Sequence, residues 1–138
     1  TAAAKFWQQF GNAVQQFGDD VIDLIPKINR LDPLLQGFSR RPDWVLRVGD
    51  SFRALEGKYQ LPRAGEALTR FASQLQQFTQ WSTQGPGREV VVWSMKQPDN
   101  VAAAEQVVLQ AAGNPQNVRF LYGVRGLFDY LSHWATTN

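Results

Sequence analysis

Between Lys5 and Ile25 the apolar residues stand at Trp7, Phe10, Val14, Phe17, Val21 and Leu24. Steps of three and four put them on one stripe of a helix about 30 Å long. Gly11 and Gly18 weaken that helix, and Pro26 ends it. Residues 27–39 read as a short helical or irregular connector, with Asp32-Pro33 as an N-cap and first-turn proline and Gly37 as the stop. Arg41-Pro42-Asp43 opens a second helix with Val45, Val48, Phe52 and Leu55 on its stripe, and Gly57 closes it. Leu61-Pro62 opens a third, carrying Leu68, Phe71, Leu75 and Phe78 and ending near Trp81.

The next segments follow the same logic. Ser82 to Gly87 is a loop, marked by Gly85-Pro86-Gly87. Val90-Val91-Val92-Trp93 has the β-branched character of a strand. With no other strand expected to pair with it, Arg88 to Lys96 reads as a helix. Asn100 to Ala112 is an Ala-rich helix stopped by Gly113. Asn114-Pro115 caps a last helix with Val118, Leu121, Val124, Phe128 and Leu131, ending near Trp134. The expected fold is all-α: a helical bundle over residues 61–138, preceded over residues 1–60 by a long N-terminal helical arm and a connector, in one cooperative unit.

The chain of 138 residues fits one domain, and its five Trp and nine Phe can fill a core without staples. With no cysteine, disulfides, Cys-based zinc sites, thiol nucleophiles and iron–sulfur clusters are excluded. No run of about 18 apolar residues predicts a transmembrane helix, and the first residues do not read as a signal peptide. Phe6, Trp44, Trp93, Tyr122 and Trp134 fall beside or outside the cleanest stripes. Surplus large apolar groups imply a second surface to cover, by a partner, another copy or a lipid.

Candidate chemistry is sparse. His133, the only histidine, has no Ser nucleophile pattern and no His partner, and reads as a surface or interface residue. Asp19, Asp20 and Asp23 form an acidic cluster that reads as a solvated helix face. Gly85-Pro86-Gly87-Arg88 lacks the Lys-Ser/Thr ending of a phosphate loop. Gly123 and Gly126 read as a packing contact. No catalytic residue, metal, cofactor or small-molecule substrate is expected. The net charge is +2, yet the central third of the chain is rich in cations: Lys27, Arg30, Arg40, Arg41, Arg47, Arg53, Lys58, Arg63 and Arg70. Guanidinium groups pair bidentately with phosphate, so these nine are the expected contacts to a nucleic-acid backbone, without base readout.

The segment from Thr79 to Val90, Thr-Gln-Trp-Ser-Thr-Gln-Gly-Pro-Gly-Arg-Glu-Val, resembles the mid-chain stretch of major coat proteins of archaeal filamentous and rod-shaped viruses (rudiviruses, lipothrixviruses and tristromaviruses). That resemblance implies a non-enzymatic virion subunit, polymerised into a helical filament around linear double-stranded DNA in A-form. Such subunits pair with themselves or with a second related coat protein, and some members add a membrane envelope. The arm of that family is basic, whereas residues 1–26 here hold Lys5 alone against three Asp, which moves the expected DNA contacts to Lys27 through Arg70. The alternative is a helical interaction module, an effector or adaptor, that docks a protein without nucleic acid.

Overall fold

The computed structural model describes residues 27–137. The expected N-terminal helix over residues 5–25, with its Asp19, Asp20 and Asp23, lies outside them. The described residues are not an all-α bundle. They form a five-stranded mixed sheet with three α-helices: β1 (Asn29–Leu31), β2 (Trp44–Val48), β3 (Ser51–Lys58), α1 (Gly65–Thr83), β4 (Arg88–Ser94), α2 (Val101–Ala111), β5 (Val118–Tyr122) and α3 (Gly123–Thr137). The strands lie in chain order, β1-β2-β3-β4-β5. The first three run antiparallel to their neighbours, while β3, β4 and β5 run parallel.

The correction begins at residues 43–57. Val45, Val48, Phe52 and Leu55 match a helical stripe, but a hairpin interrupts them. Val48 pairs with Ser51 across the two-residue turn Gly49-Asp50, and Gly49 has φ +58°. A Gly-Asp pair between apolar runs is a hairpin signal, because such turns need a positive φ that glycine supplies at no steric cost. Gly57 therefore does not stop a helix; it lies inside β3. Once β2 and β3 exist, the Val90–Trp93 run has a partner and forms β4, pairing Ala54 with Val90 and Leu55 with Val91. The expected last helix divides: Val118 to Tyr122 becomes β5, and α3 starts only at Gly123.

Both faces of the sheet are covered, which explains the unbroken apolar run in β4. A strand buried on two sides loses its alternation. On one face Trp44, Leu46, Val48, Leu55, Val91 and Trp93 pack against Leu127, Leu131 and Trp134 of α3. On the other, Val45, Ala54, Val90 and Val92 pack against Phe71, Leu75 and Phe78 of α1 and Val108 of α2. Trp44, Trp93 and Trp134 thus fill the core under α3 and Tyr122 packs against the other, while Phe6 lies outside the described residues. Gln-rich α1 keeps Phe71, Leu75 and Phe78 inside, in the rhythm its sequence predicts. Asn100 caps α2, accepting from the backbone N–H of Ala103 at 3.0 Å. The connector has a single 3-10 turn, Leu34–Gln36, opened by the side chain of Asp32 and closed at Gly37, φ +87°.

Candidate functional site

Parallel strands of an open sheet direct the loops at their carboxyl ends toward one rim, where such sheets bind ligands. Here that rim holds the ends of β3, β4 and β5. At the same rim β2 begins, running the other way from Pro42-Asp43. The antiparallel register pairs Trp44 with Leu55. Continued by one residue, it sets Asp43 opposite Glu56. Glu56 and Lys58 are two apart on β3 and share a face of the sheet, the one covered by α1. Asp43, Glu56 and Lys58 are therefore brought together by a hairpin whose turn is six residues from either carboxylate.

The local bonding fixes them. β2 starts at Trp44, so beyond Leu55 the β2 side of β3 has no strand to bond. The Asp43 side chain takes over: its Oδ2 accepts the Gly57 backbone N–H at 2.7 Å. Glu56 is 7 % exposed, and its Oε2 is buried without a hydrogen-bond partner. Lys58 closes the row, its Nζ 5.0 Å from the centre of the Phe71 ring. Phe71 on α1 thus confines the ammonium by cation–π attraction.

The electrostatics follow from this enclosure. Burial pushes the Glu56 carboxyl up to about 8, the negative charge of Asp43 adds to the rise, and Lys58 opposes it. Burial also raises the Asp43 carboxyl, against the Gly57 N–H, Glu56 and Lys58, which all lower it. Asp43 keeps one flank open to solvent although protein crowds its carboxyl, so Glu56 carries the stronger shift. At neutral pH the pair holds a proton and one uncompensated oxygen. A positive charge beside two such carboxylates would let both ionise.

A divalent cation suits this donor set. Among the described residues no group of three or more His, Cys, Asp or Glu side chains could hold a metal ion, so Asp43 and Glu56 would supply only two protein ligands. Mg2+ is held by one or two carboxylates, with water and substrate oxygens completing its shell. Asp43 and Glu56 supply two hard oxygen donors, one buried and orphaned, the other open to the rim. The residues present fit the ion.

The nine expected phosphate contacts do not share one face. Lys58 lies in the carboxylate row, and Arg40 and Arg41 are exposed just before Pro42-Asp43. Arg63 lines a cleft at the same rim, with Gln60, Leu61, Lys96, Pro98, Asp99 and Ala104. Arg47 projects near the far end of β2, and Lys27 and Arg30 are exposed at the start of the described chain. Arg70 pairs with Glu66 on the surface of α1. Arg53 is held in the opposite core: its Nε donates to Tyr130 Oη at 2.7 Å, and Nη1 donates to Ser51 Oγ and the carbonyls of Phe52 and Gly87. Its side chain is 15 % exposed and stacks over Trp134. His133 is exposed on α3.

Asp43 and Glu56 are the residues that sequence reasoning passed over. They look like two acids balancing a basic window. The available signal was Glu56 inside the apolar run of β3, which a helical reading places on a polar flank. The Thr79–Val90 segment spans the end of α1, a turn and the start of β4, with Trp81 in the core. Among the described residues no helix is long and apolar enough to cross a membrane. The chain matches no protein-family model, no curated protein and no solved structure.

Proposed function

We propose that this protein is a divalent-cation-dependent phosphodiester hydrolase that acts on nucleic acid. The observation that carries the reading is the Asp43–Glu56 pair, buried on one side, open on the other, with Lys58 two residues on along the same strand face. When bound, Mg2+ or Mn2+ neutralises charge on phosphoryl oxygens and favours ionisation of a water nucleophile. The chain's residues do the rest. Asp43 and Glu56 give up their shared proton and hold the cation. The Lys58 ammonium donates a hydrogen bond at the reacting phosphate, where charge develops as water adds and a P–O bond breaks. The Gly57 N–H holds the Asp43 carboxylate in position for this work.

A polymeric substrate suits the setting. The row opens onto a solvent-facing rim rather than an enclosed pocket, and Arg40, Arg41, Arg63 and Lys96 flank it. Such a rim suits an extended polyanion. The nucleic-acid contact expected from the basic residues is thereby kept for Arg40, Arg41, Lys58 and Arg63, but an enzyme replaces the non-enzymatic reading. The coat-subunit reading rested on the Thr79–Val90 resemblance and on central cations sharing one face; Arg53 and Arg70 are engaged within the chain, and the others are spread over more than one face.

The test is cleavage of single-stranded and duplex DNA and of RNA in 5 mM Mg2+ or Mn2+, against EDTA. Wild type is compared with identically purified Glu56→Gln and Asp43→Asn. Cleavage that needs the cation and vanishes in both variants is the expected result. Equal activity in all three preparations, or none under any cation with no cation-dependent change in stability, overturns the reading.

A further inference from the structure

The cleft beside the carboxylate row holds two cations that the metal site does not use. β3 and β4 stay paired past their ends: Met95 N–H donates to Lys58 O at 2.9 Å, and Lys96 N–H donates to Tyr59 O at 2.8 Å. Lys58 stands level with Ser94 in the parallel register, and the bends that follow, at Tyr59-Gln60 and Met95-Lys96, carry Gln60 and Lys96 into the cleft wall. Arg63 forms another part of the cleft wall, and it also borders the neighbouring hollow over Asn100, Ala103 and Val107.

Both cations are exposed, and the ion pairs formed among the described residues use neither of them. Asp99 shares the cleft. It directly precedes the N-cap of α2, whose positive end offsets its charge. The cleft is left with a net positive charge, close to the row where phosphate would be cleaved. Nucleic acid presents one phosphate per about 3.4 Å of rise along a strand. A strand seated with one phosphate at Lys58 and running on past the paired strand ends brings a neighbouring phosphate into the cleft that Lys96 and Arg63 line.

We propose that Arg63 and Lys96 are positioning residues that hold a flanking phosphate of the substrate strand. They fix the direction in which the strand crosses the carboxylate row. This inference rests on the hydrolase reading above. It assigns a role to Lys96, which the sequence does not single out, and gives Arg63 a defined partner. Arg63 supplies a planar fork for two phosphate oxygens, and Lys96 a point charge on the other side.

The experiment measures binding of a fluorescein-labelled DNA oligonucleotide in EDTA from 50 to 200 mM NaCl, for wild type, Arg63→Gln/Lys96→Gln and Arg125→Gln. Arg125 pairs with Asp129 on α3, across the sheet, and serves as the charge control. The double variant is expected to bind about ten-fold more weakly, with a log–log salt slope shallower by about 0.7–0.9, one phosphate's share. Its KM should rise by a similar factor with kcat within two-fold, and its Mg2+-dependent stabilisation should equal that of wild type. Arg125→Gln should change none of these. A salt slope equal to wild type in the double variant overturns the assignment, as does an equal loss in the control. If wild type gains no stability from Mg2+, the hydrolase reading fails instead, and the salt slope still decides whether this cleft holds a phosphate.

Discussion

Replacing Glu56 by Gln separates the proton, the cation and the fold in one variant. Glu56 ionises near 4.5 when unfolded and is pushed up to about 8 in the folded protein. Its folded pKa is the higher one, so below 4.5 both states carry the proton and folding bears no penalty. From 4.5 to about 8 the unfolded chain releases its proton while the folded chain keeps it, and stability falls by about 1.4 kcal/mol per pH unit. Above about 8 both states are ionised and the loss is complete. Its ceiling is about 5 kcal/mol, reduced by water entry and relaxation around the buried charge. Asp43, also raised, acts in the same direction. Gln keeps the shape of Glu56 and has no proton to lose.

Urea unfolding at pH 5.5, 7 and 9, with and without 5 mM Mg2+, reads the effect. Without the cation, wild type should lose several kcal/mol between pH 5.5 and 9, moving the urea midpoint down by about 1 M or more. The variant should be nearly flat across that range and more stable than wild type at pH 9. With Mg2+ at pH 9, wild type should regain stability by RT ln(1 + [Mg2+]/Kd), about 2.7 kcal/mol at a hundred-fold excess over Kd. At pH 5.5 the gain should shrink, since protons compete for the same oxygens. The variant should gain little at either pH. Parallel pH profiles for the two proteins would refute the shared-proton argument. An equal Mg2+ gain in both would remove Glu56 from the cation site.

Lys58→Met should keep nucleic-acid affinity within a few-fold and lower kcat at least a hundred-fold, checked by single-turnover cleavage beside binding. Gly87→Ala should destabilise by about 2 kcal/mol or more in thermal or urea unfolding, because Gly87 sits at φ +73° and an added Cβ would meet the Asp50 carbonyl oxygen at 2.5 Å. Glu89→Ala removes the acceptor shared by Tyr130 (2.8 Å) and Arg119 (2.9 Å) and the counter-charge of Arg53. It should lower stability by about 2 kcal/mol, discounted for the partial exposure of the group, without changing the Mg2+ response.

The three-four stripe of Phe71, Leu75 and Phe78 marked α1, and the Ala-rich run with its Gly113 stop marked α2. Each packs one side only, so its period survived in the sequence. The central strands gave no such period. Val45, Leu46, Val90, Val91 and Val92 are buried from both sides, and a doubly covered strand shows composition without alternation. The hairpin was nonetheless written in Gly49-Asp50. Taking that turn at face value supplies β2 and β3, gives Val90–Trp93 its partner and assigns the stray tryptophans to a second core. One unread turn thus accounts for the all-helical expectation and for the loss of the site, since Asp43 and Glu56 meet only when the chain doubles back. Arg53 shows the converse error: charge suggested a phosphate contact, but its donors bind Tyr130, Ser51 and two carbonyls, which no count of cations could foresee.

The carboxylate pair conflicts with stability wherever no cation is bound, and that conflict is itself informative. A core position at 7 % exposure is the natural place for a Leu or Met, and a buried acid there with an unpartnered oxygen lowers the stability of the empty fold. Other buried polar groups among the described residues find partners, apart from the neutral indole N–H of Trp81. Trp93 donates to Gly123 O at 2.7 Å, Trp134 to Ser51 Oγ at 2.9 Å, and Glu89 accepts from two neighbours. Their hydrogen bonds are made within the chain, as a folded protein requires of buried polarity. Glu56 alone among the described carboxylates keeps a buried oxygen without a donor, and it does so beside a second carboxylate at the rim where parallel sheets bind ligands. An acid that costs the empty fold stability is accounted for if something positive completes it. Lys58 already offers one charge and does not reverse the rise in Glu56, which leaves the completion to a group outside the described residues.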